Sequence, residues 1–163
     1  MVQVRVAGVA LDSTGQHVIL LKPITELPGS GSILPIWIGA QEATSILVAV
    51  ENAPTPRPLA HDLMRSMVVS LGAQVTAVEI TRIEDGTFYA EVSLAAGSAV
   101  HRLDARPSDA VALASRTAAP IFVDDAVLEE AGVPDTLVEE DEEQRLAEFK
   151  EFLEDVDPDD FRG

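Results

Sequence analysis

Two short segments combine arginine, acidic residues and histidine at the beginnings of predicted helices. In the first, residues 56–62, Arg57 and Pro58 precede a helical pattern, and His61 and Asp62 follow within its first turns. Proline suits the first helical position, and the free N–H groups of a helix N-terminus attract anions. An arginine there can contact a phosphate through two hydrogen bonds, and a histidine can act as general acid or base. The same residues also fit a capped helix start with a solvated His–Asp pair.

The second segment, residues 104–109, repeats the arginine–proline start. Asp104 and Asp109 offer the carboxylate oxygens that Mg²⁺ or Mn²⁺ prefers, and Ser108 adds a hydroxyl. The alternative is ion pairing of these acids with Arg106 and capping of the helix by Ser108 or Asp109. If the two helix starts face each other, we expect an anion-binding cleft in which metal-assisted hydrolysis of a phosphodiester is chemically feasible.

The composition of the 163 residues excludes several classes of protein. Cysteine is absent, which excludes disulfide scaffolds, thiolate zinc sites, iron–sulfur clusters and cysteine nucleophiles. No apolar run approaches the roughly 20 residues that a membrane span needs. The N-terminal residues alternate instead of forming the basic and apolar blocks of a secretory signal. We therefore expect a cytoplasmic protein without a membrane-inserted segment.

The charge of the chain is strongly negative and unevenly distributed. It contains 28 acidic residues and 11 lysines and arginines, which gives a formal net charge of −17. Residues 131–163 alone contain 13 acidic and 3 basic residues. A broad basic surface for nucleic acid is excluded, because such binding depends on lysines and arginines that release counterions. The change in composition predicts a folded domain over residues 1–133, followed by an acidic C-terminal helix and tail over residues 134–163.

The alternation of apolar and polar residues predicts the elements that position the two segments. Strands are expected at 2–11, 17–24, 33–38, 73–83, 87–94, 100–104 and 120–123, and helices at 42–52, 57–71, 106–117, 124–131 and 139–155. Short hairpin connections favour an α+β fold with a mixed, largely antiparallel sheet and packed helices. The repeated order of three strands and a helix suggests an internal duplication.

Two apolar patterns lead to expectations about packing. An apolar residue recurs every four positions in the predicted helix 57–71, which is typical of a face that packs on the core. These residues are Leu59, Leu63, Met67 and Leu71. The strand at 2–11 contains only Gln3 and Arg5 as polar interruptions, so it is a weakly protected edge if it lies outermost. We therefore expect a symmetric homodimer, the commonest form of soluble oligomer.

Four motifs, in this order along the chain, resemble the bifunctional nuclease (BFN) domain family. They lie at residues 34–39 with 42–43, at 57–63, at 86–90 and at 104–114. The run Asp-Ala-Arg-Pro-Ser-Asp-Ala at 104–110 is the most specific, and the resemblance covers about residues 2–130. Ala60 stands where the family often has threonine. The resemblance, which extends to many bacterial members, implies an α+β domain and a nuclease that acts on DNA and RNA.

Two classes of function stay open. The first is a metal-assisted nuclease that uses Mg²⁺ or Mn²⁺, with Asp104 and Asp109 as the metal ligands. In it, the residues assigned to catalysis are His61, Asp62, Asp104 and Asp109, and those assigned to phosphate binding are Arg57, Arg106 and Ser108. The second class is a non-catalytic oligomeric module that regulates or adapts by binding an anionic ligand or a protein. The acidic C-terminal helix favours the second class, because such helices dock on partners.

Overall fold

A computed structural model of the protein describes residues 1–136 together with residues 147, 149–151 and 154. In chain order the strands are β1 (Val2–Leu11), β2 (His17–Pro23), β3 (Ser32–Ile38), β4 (Ala73–Glu84), β5 (Thr87–Ala96), β6 (Ala99–Ala105), β7 (Ile121–Val123) and β8 (Val133–Pro134). The helices are α1 (Ala40–Val50), α2 (Ala60–Ser70), α3 (Pro107–Thr117) and α4 (Asp125–Ala131).

One sheet joins the eight strands in the order β6-β5-β4-β7-β1-β2-β3-β8. Among the described strands, β4 and β7 pair in parallel, and the other neighbours are antiparallel. The α+β class with a mixed, largely antiparallel sheet is therefore confirmed. Two three-strand meanders, β1–β3 and β4–β6, lie on either side of β7, and a helix follows each in the chain. This order does not confirm an internal duplication.

The main core lies between one face of the sheet and the helices. Helix α1 packs on β1 and β2, α3 packs on β4 and β5, and the two helices contact each other. The largest apolar side chains that are fully buried there include Ile19, Leu21, Leu34, Ile46 and Ile80. Burial of each such side chain contributes about 1.5–3 kcal/mol, so this layer holds α1 and α3 in a fixed relation.

The start of α2 differs from the prediction. The helix begins at Ala60, not at Arg57 and Pro58, which lie in the turn before it. The extended Leu59 is the N-cap residue, and its N–H donates to Oδ2 of Asp62 at 2.8 Å. The side chain of an acid at the third helical position thus closes the helix start, and proline is not needed there. Helix α3, by contrast, begins at Pro107, one residue after the predicted start at 106.

The expectation that the apolar face of α2 packs on the core is wrong. Leu63, Met67 and Leu71 are exposed, and Leu71 has 84% of its surface accessible. Helix α2 contacts α3 and β4 through another face, from which Val68 packs against the core. The predicted periodicity is present, but its residues form a solvent-facing stripe. Polar contacts at the beginning of α2, described below, attach the helix to α1 and α3 instead.

The N-terminal strand is not an edge of the sheet. β1 lies between β7 and β2 in the strand order: its residues 2–4 pair with β7, and its residues 4–11 pair with β2 around an irregularity at residue 7. β6 is at one end of the strand order, and all of its residues except Ala105 are exposed. Dimer formation itself stays a prediction.

The C-terminal region falls largely outside the described residues. The predicted acidic helix at 139–155 is represented by residues 147, 149–151 and 154, of which Phe149 is buried. Within the described part of the chain, no helix combines the length and the apolar character that are needed to cross a bilayer.

A buried ion pair connects β2 to the residue that follows β8. Lys22 is 1% exposed, its Nζ lies 2.7 Å from Oδ2 of Asp135, and it donates to the carbonyl of Ser30 at 2.6 Å. Asp135 also accepts the N–H of Gly29 at 3.0 Å. Asp135 follows the predicted boundary at 133, yet its side chain is packed within the domain. The boundary itself stays a prediction.

We predict that Asp135→Asn lowers the free energy of unfolding by about 3 kcal/mol, because removal of the nearer partner leaves the buried charge of Lys22 with the more distant carboxylate of Glu26, at 3.8 Å. Urea denaturation followed by circular dichroism measures this change. The matched control is Glu84→Gln, which removes the partner of Arg82 in an exposed ion pair of 2.8 Å and should cost less than about 1 kcal/mol. Equal losses for the two variants would contradict the role given to Lys22 and Asp135.

Candidate functional site

His61 is the centre of a buried polar network between three helices. In α2, its Nε2 lies 2.8 Å from Oδ1 of Asp109 in α3, and its Nδ1 lies 2.6 Å from Oγ of Ser45 in α1. An ionised carboxylate only accepts, so Nε2 carries a proton and donates to Asp109. In the neutral ring, Nδ1 then accepts the hydroxyl proton of Ser45. Because His61 is only 6% exposed, this network joins the three helices away from water.

The network continues to the surface through Arg106, the N-cap residue of α3. Its Nε donates to Oδ2 of Asp109 at 2.8 Å, and its Nη2 donates to Oε1 of Glu42 at 2.9 Å. Arg106 therefore links the first turns of α1 and α3, while its side chain stays 65% exposed. Gly39 makes room for this contact, because a β-carbon there would collide with the carboxylate of Glu42.

The electrostatics of this cluster keep its charges in place. Partial burial raises the pKa of Asp109, but hydrogen bonds from Arg106 and His61 outweigh that effect, and the net pKa lies below the ordinary value. Hydrogen bonds to Asp109 and Glu42 raise the pKa of Arg106. Asp109 is therefore ionised near neutral pH, which supports the assignment of the proton to Nε2 of His61.

Asp62, the neighbour of His61, makes a second contact between α2 and α3. Its Oδ1 accepts from Nε of Arg116 at 2.7 Å, and its Oδ2 accepts the N–H of Leu59. Burial raises the pKa of Asp62, but these two hydrogen bonds outweigh that effect. The pKa of Asp62 therefore lies below its ordinary value. Asp109 and Arg116 are two helical turns apart on one face of α3. His61 contacts the first of them, and Asp62 contacts the second.

A cleft of about 710 Å³ lies beside this cluster. Its lining includes the turn at 15–17, residues 36–40, the turn at 86–88 and residues 106–108. The N-cap residues of α1 and α3, Gly39 and Arg106, both line it, and neither has a side-chain cap bond. The starts of two helices without side-chain caps therefore border one cavity, and the free N–H groups of a helix N-terminus favour an anion.

Ser108 also lines the cleft, at the second position of α3. It is only 6% exposed, and within the described residues its hydroxyl has no hydrogen-bond partner. The structure thus brings together three of the predicted site residues around the start of α3: Arg106, Ser108 and Asp109. His61 joins them through its contact with Asp109, but it is buried and does not line the cleft.

Arg57 lies at a different cavity. That cavity has a volume of about 470 Å³ and is lined by Arg57, Asp62 and Arg65, among others. Neither arginine has an ion-pair partner among the described residues. The two arginine–proline segments therefore do not line one common cavity, although His61 and Asp109 touch. Asp62 faces this second cavity, where its bonds fix the start of α2.

Asp104 points away from the cluster. It lies opposite Glu91 in the β5–β6 pair, and cross-strand partners share a face of the sheet. The neighbours of Glu91 on β5, Ala90 and Val92, are buried in the helix-covered core, so Glu91 and Asp104 lie on the other face. No group of three or more His, Asp or Glu able to hold a metal occurs among the described residues. Asp104 and Asp109 together do not fit a Mg²⁺ or Mn²⁺ site.

Sequence reasoning missed Ser45 and Arg116. Each lies on the same helical face as a residue that was noticed: Ser45 is one turn after Glu42, and Arg116 is two turns after Asp109. Helical spacing from a candidate residue was the available signal. The partner of each, however, comes from α2, and the sequence does not show which helices pack together.

The Ser45–His61–Asp109 arrangement resembles one that activates a serine nucleophile, since a hydroxyl, an imidazole and a carboxylate are bonded in series. Ser45 is 5% exposed, however, and it lies in the middle of α1 without contact to the cleft. A substrate does not reach it in this structure. The network therefore positions Asp109, and through it Arg106, at the surface.

The chain was compared with known proteins. A family model described as the bifunctional nuclease domain matches residues 24–136, which is more than half of the chain. The protein belongs to this family. The matched region contains every residue of the cluster, from Glu42 to Asp109, and it ends one residue after Asp135.

Relatives fall into two groups. An uncharacterized protein of Mycobacterium tuberculosis is 41% identical over 172 aligned positions, which cover all of this chain and 99% of the relative. Bifunctional nuclease 1 of Oryza sativa subsp. indica is 32% identical over 115 positions, 69% of this chain and 34% of the relative. Bifunctional nuclease 1 of Arabidopsis thaliana is 31% identical over 98 positions, 58% of this chain and 30% of the relative. This chain thus corresponds to about a third of the plant proteins.

The lowered pKa of Asp109 predicts how stability changes with pH. The folded protein binds a proton at this carboxyl less readily than the unfolded chain, so the stabilisation is present above the unfolded pKa, about 4, and is lost as pH falls through the folded value. Urea denaturation between neutral pH and about pH 3 should show this loss. Asp109→Asn should be less stable at neutral pH and decline less steeply in acid. An acid decline parallel to that of the wild type would contradict the assignment.

Proposed function

We propose that the protein hydrolyses phosphodiester bonds of DNA or RNA, and that the phosphate binds at the cleft between the starts of α1 and α3. Membership of the bifunctional nuclease domain family supports this reaction. The observation that carries the proposed place is Arg106, an exposed guanidinium that two carboxylates hold at a cleft to which two helix N-termini contribute.

The phosphate contacts follow from the hydrogen bonds that Arg106 leaves unused. Nε and Nη2 are occupied by Asp109 and Glu42, and no described residue takes Nη1. That nitrogen, the hydroxyl of Ser108 and the free N–H groups of the first turns supply donors for one phosphate. The helix ends also offset the charge of the two carboxylates, which would otherwise repel an anion.

Asp109 does not itself line the cleft, but its side chain is 27% exposed beside Arg106, and we propose that it orients the attacking water. A carboxylate has about four acceptor positions, and the bonds from His61 and Arg106 use two of them. His61 is a positioning residue in this scheme: it holds Asp109 from the buried side and does not touch the substrate. Asp62 positions α2, and a direct catalytic role for Asp104 has no geometric support from its place on the other face of the sheet.

Arg57 extends the proposed contact with nucleic acid. With Arg65 it supplies two arginines without ion-pair partners at the second cavity, where we propose that a neighbouring phosphate of the same strand binds. The number of phosphate contacts remains small, so the affinity should fall only weakly with salt. A requirement for Mg²⁺ or Mn²⁺ stays a prediction for the assay, because the described residues offer no preformed site.

Cleavage of end-labelled RNA and DNA by highly purified protein, with and without Mg²⁺ or Mn²⁺, tests the proposal. Arg106→Ala and Asp109→Asn should each lower the cleavage rate by about 100-fold, as loss of a group that contacts or orients the reacting atoms does. The control is Arg102→Ala, because Arg102 is similarly exposed but lies on β6 opposite Ser93. Cleavage that survives in Arg106→Ala, or disappears equally in Arg102→Ala, would show that the activity does not come from this cleft.

A second candidate function is a non-catalytic, oligomeric regulatory or adaptor module. The specific observation in its favour is the exposed apolar stripe of Leu63, Met67 and Leu71 on α2, which monomeric proteins normally cover. The occupant that we propose is a second copy of the chain. This stripe does not overlap the cleft lining, so dimer formation and phosphodiester hydrolysis are compatible.

Light scattering at moderate salt tests the dimer. A dimer through the stripe predicts about twice the chain mass of 17.4 kDa for the wild type and the monomer mass for Met67→Glu. Val100→Glu on the exposed β6 strand is the control and should keep the dimer. A monomeric wild type would remove this candidate, and a dimer that only the β6 variant disrupts would place the interface at the sheet edge.

A further inference from the structure

An apolar patch, the sheet patch, lies on the face of the sheet opposite the helices. It consists of Val18, Leu20 and Ile33, which are 6%, 8% and 4% exposed. Their neighbours along the strands belong to the main core, and successive residues of a strand point to opposite faces. The helices α1–α4 all pack on the main-core face.

The sheet patch is buried although its known neighbours are small. Within the described part of the chain, the side chains that pack on it are those of Ala7 and Ala10. Two methyl groups are too small to bury three branched side chains. A further element must therefore cover the sheet patch.

The C-terminal helix, represented by the helical residues 147, 149–151 and 154, has one buried side. Phe149 is 9% exposed, whereas the other four of these residues are exposed. In the sequence, Leu146, Phe149 and Leu153 recur at the spacing of a single helical face, and acidic residues dominate the positions between them. A helix of this kind needs an apolar surface on which to pack.

The exposed apolar residues of the domain show where this helix does not pack. Leu63, Met67 and Leu71 on α2 are each at least 56% exposed, so their stripe does not bury Phe149. The sheet patch, in contrast, is buried and has no large apolar neighbour on that face among the described residues. It is the surface that a buried aromatic side chain would complete.

The chain leaves β8 on the same side as the sheet patch. Lys22 alternates with Leu20 along β2 and therefore shares its face, and Asp135 contacts Lys22 there at 2.7 Å. Phe149 is 13 positions after Thr136, and 13 helical residues span about 20 Å. β2 is two strands away from β8, which is about 10 Å. The C-terminal helix can therefore reach the sheet patch without crossing to the other face.

Charge favours the same placement. Arg5 lies opposite Lys22 in the β1–β2 pair, so it shares the face of the sheet patch. It is exposed and has no ion-pair partner among the described residues. Residues 137–163 contain 12 acidic and 3 basic residues. A cation beside the sheet patch attracts a segment of this composition.

We propose that the C-terminal helix packs on the sheet patch of its own chain, with Phe149 against Val18, Leu20 and Ile33. This inference goes beyond the proposed function and does not depend on the cleft. Its consequence is that the apolar side of the acidic helix is occupied within the chain and is not free to dock on another protein. The folded unit then extends past the predicted boundary at 133.

Paramagnetic relaxation in the full chain tests the placement. The chain contains no cysteine, so Lys150→Cys provides a single site for a nitroxide, at an exposed position next to Phe149. We expect the amide signals of β2 to be broadened and those of α2 to be largely retained. Arg65→Cys on α2 is the control and should give the reverse pattern when it carries the nitroxide. Sharp β2 signals with the label on Lys150→Cys would overturn the proposal.

A mixed sample distinguishes the helix of the same chain from that of a second copy. Isotope-labelled wild type is combined with unlabelled Lys150→Cys that carries the nitroxide. The proposal predicts sharp β2 signals in this mixture. Broadening of β2 in the mixture would assign the sheet patch to a second copy and overturn the proposal.

Thiol reactivity tests whether Phe149 is the cover. Leu20→Cys should react with a soluble thiol reagent at least about 100-fold more slowly than Leu27→Cys, which is exposed, because the helix must first move away. Addition of Phe149→Asp should remove most of this protection. Ile80→Cys, in the main core, should stay protected with or without Phe149→Asp.

The outcomes of the thiol experiment are distinct. Protection of Leu20→Cys that persists beside Phe149→Asp would refute Phe149 as the cover. If Ile80→Cys also loses its protection, the variant unfolds the whole domain. The relaxation measurement, which leaves Phe149 in place, then decides.

Discussion

The two hydrogen bonds of the buried His61 ring are the interaction on which the candidate site depends. Helix α2 buries little apolar surface, and His61 is its buried residue. Ser45 and Asp109 satisfy both ring nitrogens, which a buried imidazole requires, since an unpaired polar group costs about 1–3 kcal/mol. The same bonds connect the middle of α1 to the first turn of α3. Because Asp109 also accepts a hydrogen bond from Arg106, the buried contacts of His61 determine the position of the exposed guanidinium.

The negative charge of the chain means that recognition of nucleic acid depends on this local arrangement and not on the overall composition. A protein with net charge −17 repels nucleic acid at long range, and salt would reduce that repulsion. Recognition must therefore come from a few short-range contacts. Arg106, the starts of α1 and α3 and the hydroxyl of Ser108 are contacts of this kind, and their residues line one cleft. Specific local donors, and not a basic surface, are the physical basis of the account.

The sequence was sufficient for the local structure and for part of the site. The local pattern predicted β1 at 2–11 without error and the start of α3 to within one residue, because these features depend on neighbours in the chain. From the sequence, the contact between His61 and Asp109 was only one of the possible arrangements. The solvent-facing stripe of α2, the position of β1 inside the sheet and the outward orientation of Asp104 depend on which elements pack together. Periodicity does not carry that information. Ser45 and Arg116 were missed for the same reason.

The protonation state of the His61 ring tests the central claim most directly. In a protein with His17→Gln and His101→Gln, His61 is the remaining histidine, and nitrogen–proton correlation spectra report which ring nitrogen carries the proton. The account predicts a proton on Nε2 that exchanges slowly with water, and loss of this protection in Asp109→Ala. A ring protonated at Nδ1 alone, or an Nε2 proton in fast exchange with solvent, would contradict the claim that His61 is the buried joint of the site.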